Sequence, residues 1–192
     1  MTTPLFSVAI IASGCKTKRE ARCYLCVQRK FRMFGFACAA LLCLAAATPQ
    51  DWINIRSLYR QALKSEGPLD DFSSKSKSLA DVDPLAKAYY GTALALRARA
   101  SIAPTTKLSL ANQAQQQLNA AAALQPKNLE IRFLRYSFEY GTPSFLNMKK
   151  HMQVDKPLVL QFAKNASPIK DIAIHFLNGC DDLTAAEKSA LR

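Results

Sequence analysis

From Asp51 onward the apolar residues of this chain recur at intervals of three and four, the pattern of helices that each turn one stripe inward. Trp52, Ile55, Leu58, Tyr59, Ala62 and Leu63 form such a stripe over Asp51 to Ser65, with Pro49 and Asp51 suited to its first turn and Gly67-Pro68 to its end. Leu69 to Ala80 is less decided. Phe72 and Leu79 lie one face apart, but Ser73, Ser74, Ser76 and Ser78 lower the propensity, so a short helix and an ordered loop both fit. Asp83 caps and Pro84 opens the next helix, which places Leu85, Tyr89, Ala93, Leu96 and Ala100 in one row and runs to Ile102.

Thr106 to Leu124 carries Leu110, Ala114, Leu118 and Ala121, a narrow stripe of mostly small residues that predicts close approach to a partner helix. Asn128 caps a helix through Tyr140, ended by Gly141 before Pro143. Ile131, Leu134 and Phe138 fall on one side of it and Phe133, Tyr136 and Tyr140 on nearly the opposite side, so it has to be sandwiched. Arg132, Arg135 and Glu139 lie on the strip between, where the Arg135–Glu139 spacing predicts a weak surface pair.

Pro143 to Met152 and Asp155 to Asn165 each predict a shorter helix, the second capped by Asp155 with Pro157 in its first turn. Ser167-Pro168 opens another, with Ile169, Ile172, Ala173, Phe176 and Leu177 inward and Gly179 as its stop. Thr184-Ala185-Ala186-Glu187 has the capping-box spacing of a final short helix. No strand alternation follows Thr48. The expected fold is all-α, built of stacked antiparallel helix pairs.

The segment before this pattern is of another kind. Arg29, Lys30 and Arg32 precede an apolar run from Met33 to Leu44, which closes on Ala45-Ala46-Ala47; that is the layout of an export signal with cleavage between Ala47 and Thr48. The expected organisation is a mis-assigned or disordered extension over 1–32, a signal core and cleavage site over 33–47, and one helical domain over 48–192. The expected compartment is the periplasm. Ala12-Ser13-Gly14-Cys15 loosely resembles a lipoprotein cleavage box, and a lipid-anchored envelope protein is the alternative. The Met33–Ala47 run is shorter than the about 20 residues of a membrane span, and no transmembrane helix is expected in the mature form.

Removing the leader changes the charge and cysteine counts. The full chain has a formal net charge of +12. Residues 1–47 hold seven Lys/Arg and the single acid Glu20, whereas 48–192 hold 19 Lys/Arg and 13 Asp/Glu without a block of like charge. Such dispersion suits a solvated surface, and no nucleic-acid partner is expected. Cys15, Cys23, Cys26, Cys38 and Cys43 all precede the cut, leaving only Cys180 and hence no internal disulfide. The Cys23/Cys26 pair supplies two zinc ligands where a structural site needs four.

Nothing in the mature region assembles a reaction. His151 and His175 sit on different predicted helices, no H-E-x-x-H or G-x-S-x-G occurs, and Gly67, Gly91, Gly141 and Gly179 are isolated. Asp70-Asp71 and Asp181-Asp182 are adjacent carboxylates that point apart on a helix, and the latter would raise the pKa of Cys180. No catalytic residue, metal ligand or cofactor is expected. The densest feature is Arg132 to Phe145, where Phe133, Tyr136, Phe138, Tyr140 and Phe145 alternate with Arg132 and Arg135. Most of these rings are expected in the core; Arg132, Arg135, Tyr136 and Tyr140 make the candidate partner-binding surface, with Arg132, Tyr136 and Tyr140 exposed. The alternative is a small-ligand or enzyme pocket between helices, lined by Tyr89, Tyr136 and His175.

Ala114, Leu118, Ala121 and Pro126 resemble the small, large, small and proline positions in the second helix of a tetratricopeptide repeat, and Tyr90-Gly91 with Leu94 resembles its first-helix motif. The Gly91–Ala114 interval exceeds that of a 34-residue repeat by about eleven residues. Pro126 to Arg135, Thr142 to Leu146 and Pro104 to Leu108 together are similar to a group of uncharacterised exported bacterial proteins with tetratricopeptide-like helices. That resemblance implies a short α-solenoid, export, and a protein- or peptide-binding or structural accessory role. It implies no catalytic residue.

Overall fold

The computed structural model describes residues 47–191, within one compact unit, Ala46–Arg192. The signal segment up to Ala46, the Cys23/Cys26 pair, the Ala12–Cys15 box and the boundary at residue 32 lie outside the described residues. Among the described residues the fold is all-helical: α1 (Pro49–Lys64), α2 (Leu69–Leu79), α3 (Pro84–Ala100), α4 (Pro104–Leu124), α5 (Leu129–Gly141), α6 (Met152–Lys164), α7 (Lys170–Asn178) and α8 (Ala185–Ser189), with one 3-10 turn at Ser144–Leu146.

Polar side chains start several of these helices. Thr48 Oγ1 accepts from the Asp51 amide (3.2 Å) while Asp51 Oδ2 accepts from the Thr48 amide (2.9 Å), a reciprocal box that satisfies two end donors of α1. Lys75 of α2 also donates to Asp51, and this bond, with those from Thr48, holds the Asp51 carboxyl well below the usual carboxylate range. Asp83 and Asn128 each accept two backbone N–H bonds at the starts of α3 and α5. Thr184 and Glu187 repeat the box at α8.

The serine-rich α2 is a helix. Ser76 is wholly buried and returns its hydroxyl to the Phe72 carbonyl (2.6 Å), so its polarity is met within the helix itself. Phe72 then reaches an aromatic group with Tyr59 of α1 and Tyr89 of α3, ring centroids 5.5 to 6.1 Å apart. A second group joins Phe133 and Tyr136 of α5 to Phe162 of α6 and Phe176 of α7. Each successive pair of helices from α1 to α7 is in contact, and α3 also packs on α1 and α5.

Two expectations change. Pro143–Met152 is not a helix: the 3-10 turn stops at Asn147, whose left-handed φ of 52° cannot continue one. The chain then runs irregularly, burying Met148 beside Ala98 and Ala111, and the Met148 carbonyl accepts from Gln115 (3.1 Å). Asp155 does not cap α6, which begins at Met152; it lies in the first turn, wholly buried, and Pro157 sits further inside the helix.

Helices α3 and α4 approach closely at the small-residue stripe. A Cβ on Gly91 would stand 3.0 Å from Leu118 Cγ, 3.1 Å from the Ala114 carbonyl and 3.1 Å from Gln117 Cβ. A branched side chain there forces the helices apart. Gly91→Val is expected to lose about 2–3 kcal/mol of stability through overpacking, against little change for Gly141→Ala, whose Cβ meets nothing within 4 Å. Urea unfolding midpoints measure both, and equal midpoints would show that the contact is not tight.

Candidate functional site

Helix α5 has apolar residues on both sides, and Ile131, Phe133, Leu134 and Tyr136 are all at most 1% exposed. Packing on both sides leaves the intervening polar strip without solvent, so each member needs a partner. Glu130 accepts from Arg56 of α1 at Nε (3.0 Å) and Nη2 (2.9 Å), and from the Tyr89 hydroxyl of α3 (2.5 Å). Burial, followed by the Glu130 carboxylate, pushes the Tyr89 phenol well above its ordinary pKa. Arg135 donates to both carboxylate oxygens of Asp155 (2.7 and 2.8 Å), and Arg132 adds a third bond at 3.0 Å. Glu139, 1% exposed, accepts from the His151 amide (2.7 Å) and meets His151 Nδ1 at 2.7 Å.

These contacts correct the expected partner surface. Arg135 and Glu139 are not a surface pair: each is buried and bound to a different segment. Tyr136 is wholly buried and donates to Asp182 (2.6 Å). Tyr140 is half-buried, meets Phe176 edge to face and accepts from the Asp181 amide (2.9 Å). Arg132 keeps 12% side-chain exposure and otherwise engages the Pro126 carbonyl and Asp155. Arg132, Arg135 and Tyr136 bind the inside of the molecule to itself, whereas Tyr140 also lines an open recess. Every buried side-chain nitrogen and oxygen among the described residues has a partner, so this network holds no unspent polar group aimed at a ligand.

Cys180 is also sealed. Its thiol lies 3.4 Å from the Phe176 carbonyl, and burial, with the Asp182 charge second, pushes its pKa up to about 12. A thiol so protonated is a poor nucleophile. Among the described residues no group of three His, Cys, Asp or Glu side chains could hold a metal ion.

A recess of about 1000 Å³, lined in part by Phe133, Leu134 and Tyr140 of α5, is open to solvent. Helix α1 contributes Tyr59 and Leu63; α3 contributes Leu96 and Arg99; α5 contributes Ser137 and Phe138; α7 contributes Ile172, His175 and Phe176. Lys107 and Leu108 of α4 and Phe145 of the 3-10 turn complete the rim. Of the expected trio Tyr89, Tyr136 and His175, only His175 lines it. The walls are mostly apolar, Phe145 is 84% exposed, and the charged residues present are Arg99 and Lys107 with no aspartate or glutamate. The residues missed by sequence reasoning, Arg99, Lys107 and Leu108, flank Pro104. That break was the available signal, because a sharp turn between α3 and α4 brings cations on either side of it to one corner.

No family model, curated protein or solved structure matches the chain.

Asp155→Ala is expected to cost about 3–5 kcal/mol, because Arg135 would remain buried without its counter-charge. Arg132→Ala should cost roughly 1–2 kcal/mol, since that side chain is nearer solvent. Denaturant unfolding separates them; a loss under about 1 kcal/mol for Asp155→Ala would remove the buried pair as a constraint. In the native protein Cys180 should stay unreactive toward an aromatic disulfide reagent at pH 9 and react at once in denaturant, and rapid native labelling would contradict its burial.

Proposed function

We propose that this is an exported helical module that binds a protein or peptide segment in the recess walled by α1, α3, α4, α5 and α7, and that it carries out no chemistry of its own. The observation that carries the reading is one continuous, mostly apolar trough walled by residues of α1, α3, α4, α5 and α7. Stacked helix pairs present extended concave surfaces of this kind, as in tetratricopeptide-like solenoids. The contacts of α3 with both α1 and α5 support such stacking. Exposed apolar side chains grouped along a rim, here Leu63, Leu108 and Phe145, are a common mark of an interaction site.

Export is supported by the Arg29–Ala47 pattern together with the helix start at Thr48. A small-ligand or enzyme reading has less behind it, because Tyr89 and Tyr136 are committed to carboxylates away from the recess.

Two measurements test the proposal. Amino-terminal sequencing of the protein recovered from its native envelope fraction should begin at Thr48, and an intact leader would overturn the assignment to export. The same protein used as bait should retain a partner that is lost with Leu108→Asp or Phe145→Asp, both at exposed positions and hence expected to leave the unfolding midpoint unchanged. Retention unaffected by both substitutions would exclude the recess as the binding face.

A further inference from the structure

We infer that the occupant of the recess is an amphipathic helix of a partner protein that carries carboxylates at the end lying against the α3–α4 corner. The inference rests on the docking role proposed above and adds the chemistry of the partner. Arg99 stands in the last turn of α3 and Lys107 in the first turn of α4, so a short connection holds both cations at one corner of the trough. Neither is in an ion pair with the carboxylates of the described residues, although Arg97 close by is paired with Asp70 (3.0 Å).

The beginning of α4 adds to the same field. Ala103 provides no side-chain cap and the first turn holds no acidic residue, so the backbone N–H groups there keep their positive end uncompensated. With no aspartate or glutamate lining the recess, the corner favours an anionic group. This accounts for one end of the occupant. The remaining wall, with Leu96, Phe138 and Phe176, favours apolar side chains.

Shape distinguishes a helix from an acyl chain. A trough open to solvent leaves one flank of its occupant in water. An acyl chain is apolar all round and would leave methylenes exposed to water, whereas an amphipathic helix has a polar flank to present. Its apolar anchors at i, i+3, i+4 and i+7 would face α1, α3, α5 and α7, and its acidic turn would reach Arg99 and Lys107.

The test uses the purified protein and two labelled model helices of about 15 residues, identical in a leucine face and differing only in glutamate or lysine on the polar face. Fluorescence anisotropy should show the acidic helix binding more tightly, by about tenfold at low salt, with the difference shrinking as salt rises. Arg99→Glu combined with Lys107→Glu should reverse that order. Phe145→Ala should weaken both helices alike. Equal binding of the two helices, or an order unchanged by the charge reversal, overturns the acidic partner. Displacement of the acidic helix by oleate at stoichiometric concentration, or a sedimentation result showing a second copy of the protein covering the recess, overturns the helical occupant. Loss of a native partner with Phe145→Asp, in a protein indifferent to the charge of the model helices, would leave the docking face standing and remove only the chemistry assigned here.

Discussion

The carboxylate of Asp155 is the point on which the folded unit turns. It has no exposure to solvent and accepts three bonds from two guanidinium groups on the facing helix. In such an environment an ion pair adds little net stability over an apolar pair, but a mismatched one is severely penalised. The consequence is positional. Helix α6 can sit against α5 in the register that delivers Asp155 to Arg132 and Arg135, and a slip by one turn would strand three charges. Glu130 does the same toward α1 and α3 through Arg56 and Tyr89, and Glu139 toward the segment before α6. One central helix thus sets the placement of its neighbours with polar contacts, while its aromatic residues supply the cohesion.

Helix boundaries were legible because they depend on local chemistry. Thr48, Asp83, Asn128 and Thr184 bond to amides two or three residues ahead, so a reader of the chain needs only a few consecutive residues to find where α1, α3, α5 and α8 begin; for α1 the reading reached Pro49 and Asp51 and stopped one residue short of the cap. The small-residue stripe of α4 announced a close contact, and Gly91 proved to be what it contacts. The stretch after Pro143 misled for an equally local reason. Its apolar spacing suits a helix, but Met148 and the His151 amide are drawn to partners on α4 and α5, and long-range contacts decided the backbone.

What the chain concealed was the environment of polar residues. The spacing of Arg135 and Glu139 places both on one face, which says nothing about whether that face meets water or another helix. The answer lies with Asp155 and His151, on a segment whose packing no periodicity reports. The aromatic density between Arg132 and Phe145 was read as including a docking surface for the same reason. Most of those rings fill the interior, and only Phe145, at its far end, stands fully in solvent. The apolar wall of the recess is assembled from residues such as Leu96, Phe138, Ile172 and Phe176 that resembled ordinary core positions, because a groove is defined by what fails to cover it.

The Thr48 box has a chemical corollary. Its amide already donates to the Asp51 carboxylate, and Lys75 stands on the other side of that carboxylate. Hydrolysis of the preceding peptide bond would replace a neutral donor by an ammonium group on the same nitrogen. A terminus at that nitrogen would face an anion that already has a cation beside it, so such a cleavage would convert a capping contact into a three-membered charge cluster at the first turn and leave the new end anchored instead of frayed.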